Sequence, residues 1–233
     1  MESIIEGFRK AFVLIFSLSP ELLSIIFLSL KVSGLALIIA TVMGLLVGTH
    51  IGFRQFPLKG MIISTMNTFM GLPPVVVGLF VYLILSRSGP LGFMGLLYTP
   101  SAMVTAQTIL AFPIVASLSH SAIISVDPII KQSSMTLGAT PFQMTITIIK
   151  EARYGIMSAV IAAFGRVMAE VGAILIVGGN IAGYTRVMTT TIALETDKGN
   201  FELALALGII LLTLSFIINT ILHMFQKKGK VNR

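Results

Sequence analysis

The sequence predicts an all-α, polytopic helical membrane protein, with about five transmembrane helices and one long polar segment at the inner end of the bundle. Three observations predict it. The 233-residue chain is 55% hydrophobic and only 11% charged, where soluble domains carry about 25% charged residues; its mean hydropathy is +0.98. Charges are absent between Lys31 and Arg54, Lys59 and Arg87, Arg87 and Asp127, and Glu202 and Lys227. Each gap holds the roughly 20 apolar residues that cross a bilayer core. The period-two alternation that a closed β-barrel needs is missing.

Residues 4–19 come first. The apolar run Ala11–Leu18 is too short to span, and Pro20-Glu21 ends it. It lacks a small-residue cleavage site, so residues 1–22 are expected to form an amphipathic extracytoplasmic segment on the membrane surface. If they span instead, the count becomes six and the N-terminus moves inside. The five spans are read at about 27–50, 61–86, 101–125, 155–179 and 203–225. They form one unit over 23–226, followed by a basic tail at 227–233.

Charge sets the orientation. With the 51–60 loop, the 126–154 loop and the C-terminus inside, Arg54, Lys59, Lys131, Lys150, Arg153, Lys227, Lys228, Lys230 and Arg233 face the cytoplasm. The acids Glu2, Glu6, Glu21, Glu195, Asp197 and Glu202 then lie outside. The excess of Lys and Arg on inner loops predicts N-terminus out and C-terminus in. It also accounts for a pI near 9.9 without nucleic acid.

Several chemistries are not expected. There is no cysteine, and His50, His120 and His223 lack metal-ligand spacing, so no metal site is read. Walker A, GxSxG, HExxH and dinucleotide fingerprints are missing, and no catalytic residue or cofactor is assigned to the chain. Energy for active transport would come from a partner or an ion gradient.

The polar segment Asp127–Glu151 carries the most information. Asp127-Pro128 fits a helix start, with Asp as N-cap and Pro at the first position. Gly138 breaks that helix, and Thr140-Pro141 starts a second. A helix–Gly–helix element of this kind suits docking into a groove on a soluble partner.

Gln132-Ser133-Ser134-x3-Gly138-Ala139, with Ile148 further on, resembles the EAA loop of type I, methionine-importer-like ABC permeases. The chain departs from that pattern at Gln132-Ser133-Ser134 and at Lys150-Glu151. Ser29–Ser33, Gly71-Leu72-Pro73-Pro74, Ser86–Gly92, Ala169–Ala173, Val177–Ile181, Thr185-Arg186 and Ala193–Thr196 look similar to the molybdate/tungstate branch, nearest to tungstate permeases. The resemblance covers about residues 24–225. It implies a permease subunit that works as a homodimer in the lipid of the inner membrane. Two ABC ATPase subunits, which bind ATP and Mg, would sit inside, and an extracytoplasmic oxyanion-binding protein outside. Gln132, Ser133, Ser134, Gly138, Ala139, Thr140 and Pro141 would form the ATPase-docking element. The same machine could carry molybdate or sulfate. A different class, a stand-alone secondary transporter or channel, would more often show repeats and more intramembrane charge. An intramembrane enzyme would need clustered His, Asp or Glu.

Residues at membrane depth suggest a path or gate. Pro73 and Pro74 remove two amide donors and free upstream carbonyls, giving either a passive kink or a gating break. Asn67 lies upstream on the same span and reads as an interhelical hydrogen-bonding residue or a path residue. Arg166 and Glu170 are the only charges deep in a span. Their four-residue spacing lets them pair on one helix face, as a static pair or a gate latch; alternatively, Arg166 meets a passing dianion. Gly44-x3-Gly48-x3-Gly52 reads as a close-packing face. Gly178-Gly179-Asn180 ends the fourth span, where it packs or meets the binding protein or anion.

Overall fold

The structure, a computed structural model, describes residues 19–228 together with Arg9, Phe12, Val13 and Phe16. The surface-helix reading of residues 4–19 and the tail at 227–233 fall outside the described segments, save those four residues and the last two of the final helix. Ten helices occur in the described chain, with no strand.

Helix α1 (Pro20–Phe53) starts seven residues earlier than hydropathy predicts, because Ser19 Oγ accepts from Leu22 N and Pro20 occupies the first turn. Pro20 thus opens a helix as well as closing the preceding run. At 1.5 Å per residue, 34 residues span about 51 Å, more than the roughly 30 Å hydrocarbon core. The stripe Val32, Ala36, Ala40, Gly44, Gly48 is buried and packs on α4 (Pro100–Ile124), the central helix.

The expected small-residue face is a packing face. A Cβ on Gly44 would lie 2.8 Å from Val115 Cβ, and one on Gly48 would lie 2.6 Å from the Ala116 carbonyl oxygen. The two helices approach until backbone meets backbone, which no larger residue allows.

The span expected at 61–86 is not one rod. Helices α2 (Lys59–Phe69) and α3 (Pro74–Leu85) meet at 103° across Met70–Pro73. Pro73 and Pro74 lack N–H groups, so the ladder cannot run through them. After the loop at 86–99, α4 runs back to the opposite end of the bundle. There α5 (Pro128–Thr136) and α6 (Pro141–Glu151) fold as a pair.

The span expected at 155–179 is also broken. Helices α7 (Arg153–Met168) and α8 (Gly172–Gly178) meet at 58°. A further helix, α9 (Met188–Asp197), fills a stretch read as outer loop. It is tied to α1 by Met188 N donating to Ser29 Oγ at 2.8 Å. Helix α10 (Phe201–Lys228) closes the chain against α7 and α9. Among the described residues, three helices are long and apolar enough to cross a membrane, or five spans if each bent pair counts as one.

Among the clusters of buried residues, two join the bent spans and the helices around them. One joins Val77 and Val81 of α3 to Met103 and Ala106 of α4 and Ala173 and Val177 of α8. The other joins Leu22 and Ile25 of α1 to Phe164 and Met168 of α7 and Leu207 of α10. Helices α3 and α8 approach closely: a Cβ on Gly78 would lie 2.8 Å from Ala173 Cα.

Gly48→Leu should destabilise by about 2–3 kcal/mol through overpacking, a fall of roughly 5–10 °C in Tm for a chain this size. Gly34, whose added Cβ would meet nothing within 4 Å, should accept alanine without loss. Thermal unfolding of the solubilised protein checks both.

Candidate functional site

The polar element Asp127–Glu151 folds as its sequence predicts. Asp127 Oδ1 accepts from Ile129 N at 2.9 Å, with Pro128 at the first helical position. Gly138 has φ +77°, and Ala139 N donates to the Ser134 carbonyl at 3.0 Å, closing α5. Only glycine takes this left-handed conformation at little cost. Thr140 Oγ1 accepts from Gln143 N, and Gln143 Oε1 accepts from Thr140 N at 2.8 Å, a reciprocal cap on α6.

One residue roots the element. Ile148 is buried against Ile123 and Ala152, with Phe53 and Ile156 packed around them. The rest faces outward. Gln132, Ser133, Gly138, Thr140 and Pro141 are exposed, and Ser134 and Ala139 half-buried. Ser134 Oγ donates to its own helix at Ile130. Sequence reasoning missed the apolar knobs here: Leu137 is 86% exposed, Phe142 74%, Ile129 63% and Met135 61%. Their signal was present, since apolar side chains outside the core face of a short polar helix need a partner. A groove of about 420 Å3 runs behind them, lined by residues that include Ser125, Asp127, Ile130 and Glu151.

At membrane depth, the two breaks meet each other. Arg166 Nη2 donates to the Leu72 carbonyl at 2.8 Å, across from α7 to the α2–α3 break. Glu170 points elsewhere. Its Oε1 accepts from Ala173 N at 2.9 Å, capping α8, and its carbonyl accepts from Thr189 Oγ1 at 2.8 Å. The expected Arg166–Glu170 pair is therefore not formed. Helix α7 ends at Met168, so Glu170 leaves the four-residue register that pairing requires.

Gln107, missed from the sequence, supports the same break. It is 1% exposed, and its Nε2 donates to the Val167 carbonyl at 3.1 Å in the last turn of α7. Its Oε1 has no protein partner. Beside it lies a cavity of about 10 Å3, lined by Ser29, Ser33, Glu170 and Thr189 among others, room for about one water. The only signal in the sequence was an amide in the middle of an apolar span.

Asn67 on α2 accepts from Ser117 Oγ on α4, so it makes the interhelical bond expected of it. The neighbouring Ser64, Thr65 and Thr68 are exposed, as are Gly71 and Pro73 at the break. Thr65 and Thr68 bond their own helix. Helix α2 thus shows a polar face at membrane depth.

The turn after α8 is built by packing. Gly179 has φ +69°, and Asn180 has φ +49°. Asn180 Oδ1 accepts from Thr190 Oγ1 at 2.9 Å. Buried Thr185 donates through Oγ1 to the Gly178 carbonyl and accepts from Ile181 N. A Cβ on Gly178 would lie 3.0 Å from Met103 Sδ, and one on Gly179 2.9 Å from the Tyr98 ring.

The fold and these elements have known relatives. The model of the family described as "Binding-protein-dependent transport system inner membrane component" matches residues 40–230. The chain is 43% identical to the tungstate uptake system permease protein TupB of Peptoclostridium acidaminophilum, covering 98% of this chain and 100% of that one. It is 37% identical to TupB of Campylobacter jejuni over 97% and 95% of the two chains. The molybdenum permease ModB of Escherichia coli matches at 30% over 82% and 88%. Among solved structures, a bacterial alginate ABC transporter in complex with its pentasaccharide-bound periplasmic protein superposes with a TM-score of 0.75 at 20% identity, over 98% and 88% of the chains. The chain belongs to the binding-protein-dependent transport system inner membrane component family: it is a multi-pass membrane component of a transport system.

Two predictions follow from the site's geometry. Because Arg166 and Glu170 serve different backbone groups, the Tm losses of Arg166→Gln and Glu170→Gln should add in the double variant, with coupling below about 0.5 kcal/mol; thermal melts of the four proteins check this. In α9, Glu195 accepts from Lys198 Nζ and Asn200 Nδ2, both at 2.9 Å. The Lys198 hydrogen bond, reinforced by Asn200 and nearby Arg186, holds its carboxyl below the usual range against the opposing effect of burial. A depressed carboxyl stabilises the fold above the ordinary glutamate value of about 4.3 and loses that contribution as pH falls through the lowered value. The amide protection factors of residues 188–200, corrected for the intrinsic exchange rate at each pH, should therefore fall on acidification below about pH 4.

Proposed function

We propose that this chain is the permease subunit of an ABC importer that moves an oxyanion, first of all tungstate, across the cytoplasmic membrane. The observation that carries the reading is end-to-end similarity to the tungstate permease TupB, at 43% identity. Molybdate is the second reading, and the lower 30% identity to ModB ranks it behind.

In this reading the chain works as a homodimer in lipid, with its N-terminus out and its C-terminus in. Two ABC ATPase subunits bind ATP and Mg, and an extracytoplasmic protein delivers the anion. The α5–α6 element, from Gln132 through Pro141, is the docking surface. Leu137, Phe142, Ile129 and Met135 offer it apolar anchors, and Ile148 transmits its movement to α4 and α7. ATP binding draws the two ATPase subunits together and carries both docking elements with them.

The polar face of α2, with Asn67, and the break at Pro73-Pro74 line the path. Gly178, Gly179 and Asn180 hold the outer turn that the binding protein approaches. Arg166 and Glu170 organise the gate between them, each from its own backbone contact. The path holds the anion weakly, since transport needs both entry and exit.

The first test is co-purification of the tagged chain from its native membrane. ATP hydrolysis in the eluate is assayed with the binding protein present and tungstate, molybdate or sulfate added in turn. A co-eluting activity raised most by tungstate is expected; an eluate without ATPase refutes the assignment. Gly138 gives a sharper test of docking. A β-branched residue is strained at positive φ, so Gly138→Val should cut oxyanion-stimulated hydrolysis about tenfold while the chain still inserts. Gly138→Asn, which tolerates that conformation, should retain most of it.

A further inference from the structure

Arg166 is a cation at membrane depth with no carboxylate beside it. Helix α7 begins at Arg153, so Arg166 lies about 20 Å along its axis. Its four-residue neighbour Glu170 is committed to the backbone of α8. Its one protein hydrogen bond is from Nη2 to the Leu72 carbonyl, at 2.8 Å. Its Nε is buried without a partner. One neutral carbonyl leaves most of the guanidinium's five donors unspent and its charge uncompensated. Intramembrane cations are costly, and they occur where a path or a partner needs them.

The surroundings give that charge room. Ala162, Gly165 and Ala169, on α7 beside it, are small and exposed, and a Cβ on Gly165 would meet nothing within 4 Å. Gly71 and Pro73 are exposed on the other side, at the α2–α3 break. Arg166 itself is half-buried. The guanidinium is thus aimed by Leu72 and makes no ion pair within 4 Å among the described residues, while Gly165 and Ala169 beside it line an apolar groove against Leu211 and Leu212 of α10.

We infer that Arg166 is the residue that holds the transported oxyanion in transit, where the two broken spans cross. The inference rests on the proposed function, which makes the cargo an anion. A planar guanidinium matches the paired oxygens of a tetrahedral dianion. The Leu72 carbonyl fixes its direction without competing charge, and Glu170, drawn away to cap α8, leaves the contact free. A single cationic contact binds weakly enough to let the anion leave.

A purely structural Arg166 would serve only the Leu72 carbonyl, and the two roles separate by substitution. Arg166→Gln keeps a donor for that carbonyl and removes the charge, whereas Arg166→Lys keeps both. The full complex of permease, ATPase and binding protein is reconstituted in liposomes, and tungstate uptake is measured against concentration. Co-elution of the ATPase subunit verifies that each variant has folded and assembled. Loss of a charged hydrogen bond should lower uptake about tenfold or more in Arg166→Gln, and Arg166→Lys should recover a large part of it. Glutamine transporting as well as lysine, whether both are active or both dead, overturns the inference. A wild-type complex that moves no oxyanion overturns the function and this inference with it.

Discussion

A helix broken inside a bilayer frees backbone groups that lipid cannot satisfy, so some side chain has to take them. That constraint organises the middle of this protein. Two of its spans break, and polar side chains meet backbone groups freed there. Arg166 takes the Leu72 carbonyl, Glu170 the Ala173 amide, and Gln107 the Val167 carbonyl. Each bond crosses from one element to another or bridges a break. These three polar residues therefore stand where the backbone ladder is interrupted.

The breaks are held in place by close packing around α4. Its buried residues run along nearly its whole length, and α1 lies against it through glycines that admit no side chain. Above the breaks, α3 and α8 pack through Gly78 and Ala173 and share one hydrophobic cluster with α4. Helices α3 and α8 thus form one body with α4, which runs on to pack against α1 and α7 through Ala111, Val115, Ala163 and Val167.

The α5–α6 element joins the rest of the bundle through a narrow root. Its capped helices are preformed, and their apolar knobs point away from the core, so a partner finds a rigid surface rather than a loop that must order on binding. Ile148 and Ala152 tie the element to the ends of α4 and α7. Movement of the knobs would therefore reach the same two helices that carry Gln107 and Arg166.

Composition and pattern alone determined the class of fold and the local form of the α5–α6 element. Those properties depend on short-range physics: charge-free runs long enough for a bilayer, an Asp-Pro start, a glycine stop and a Thr-x-x-Gln cap each act within a few residues. The glycine stripe of α1 was legible for the same reason, since small residues four apart share one face. The partners of the polar core were not legible. Spacing alone placed Arg166 against Glu170, but only where α7 ends decides whether both sit on one helix. Leu72 is 94 residues from Arg166 in the chain, and Val167 is 60 from Gln107. The sequence thus determined which residues are polar at membrane depth and that the prolines interrupt a span. Tertiary structure decided which freed backbone group each polar residue serves, because that depends on how far two broken helices turn and where they cross.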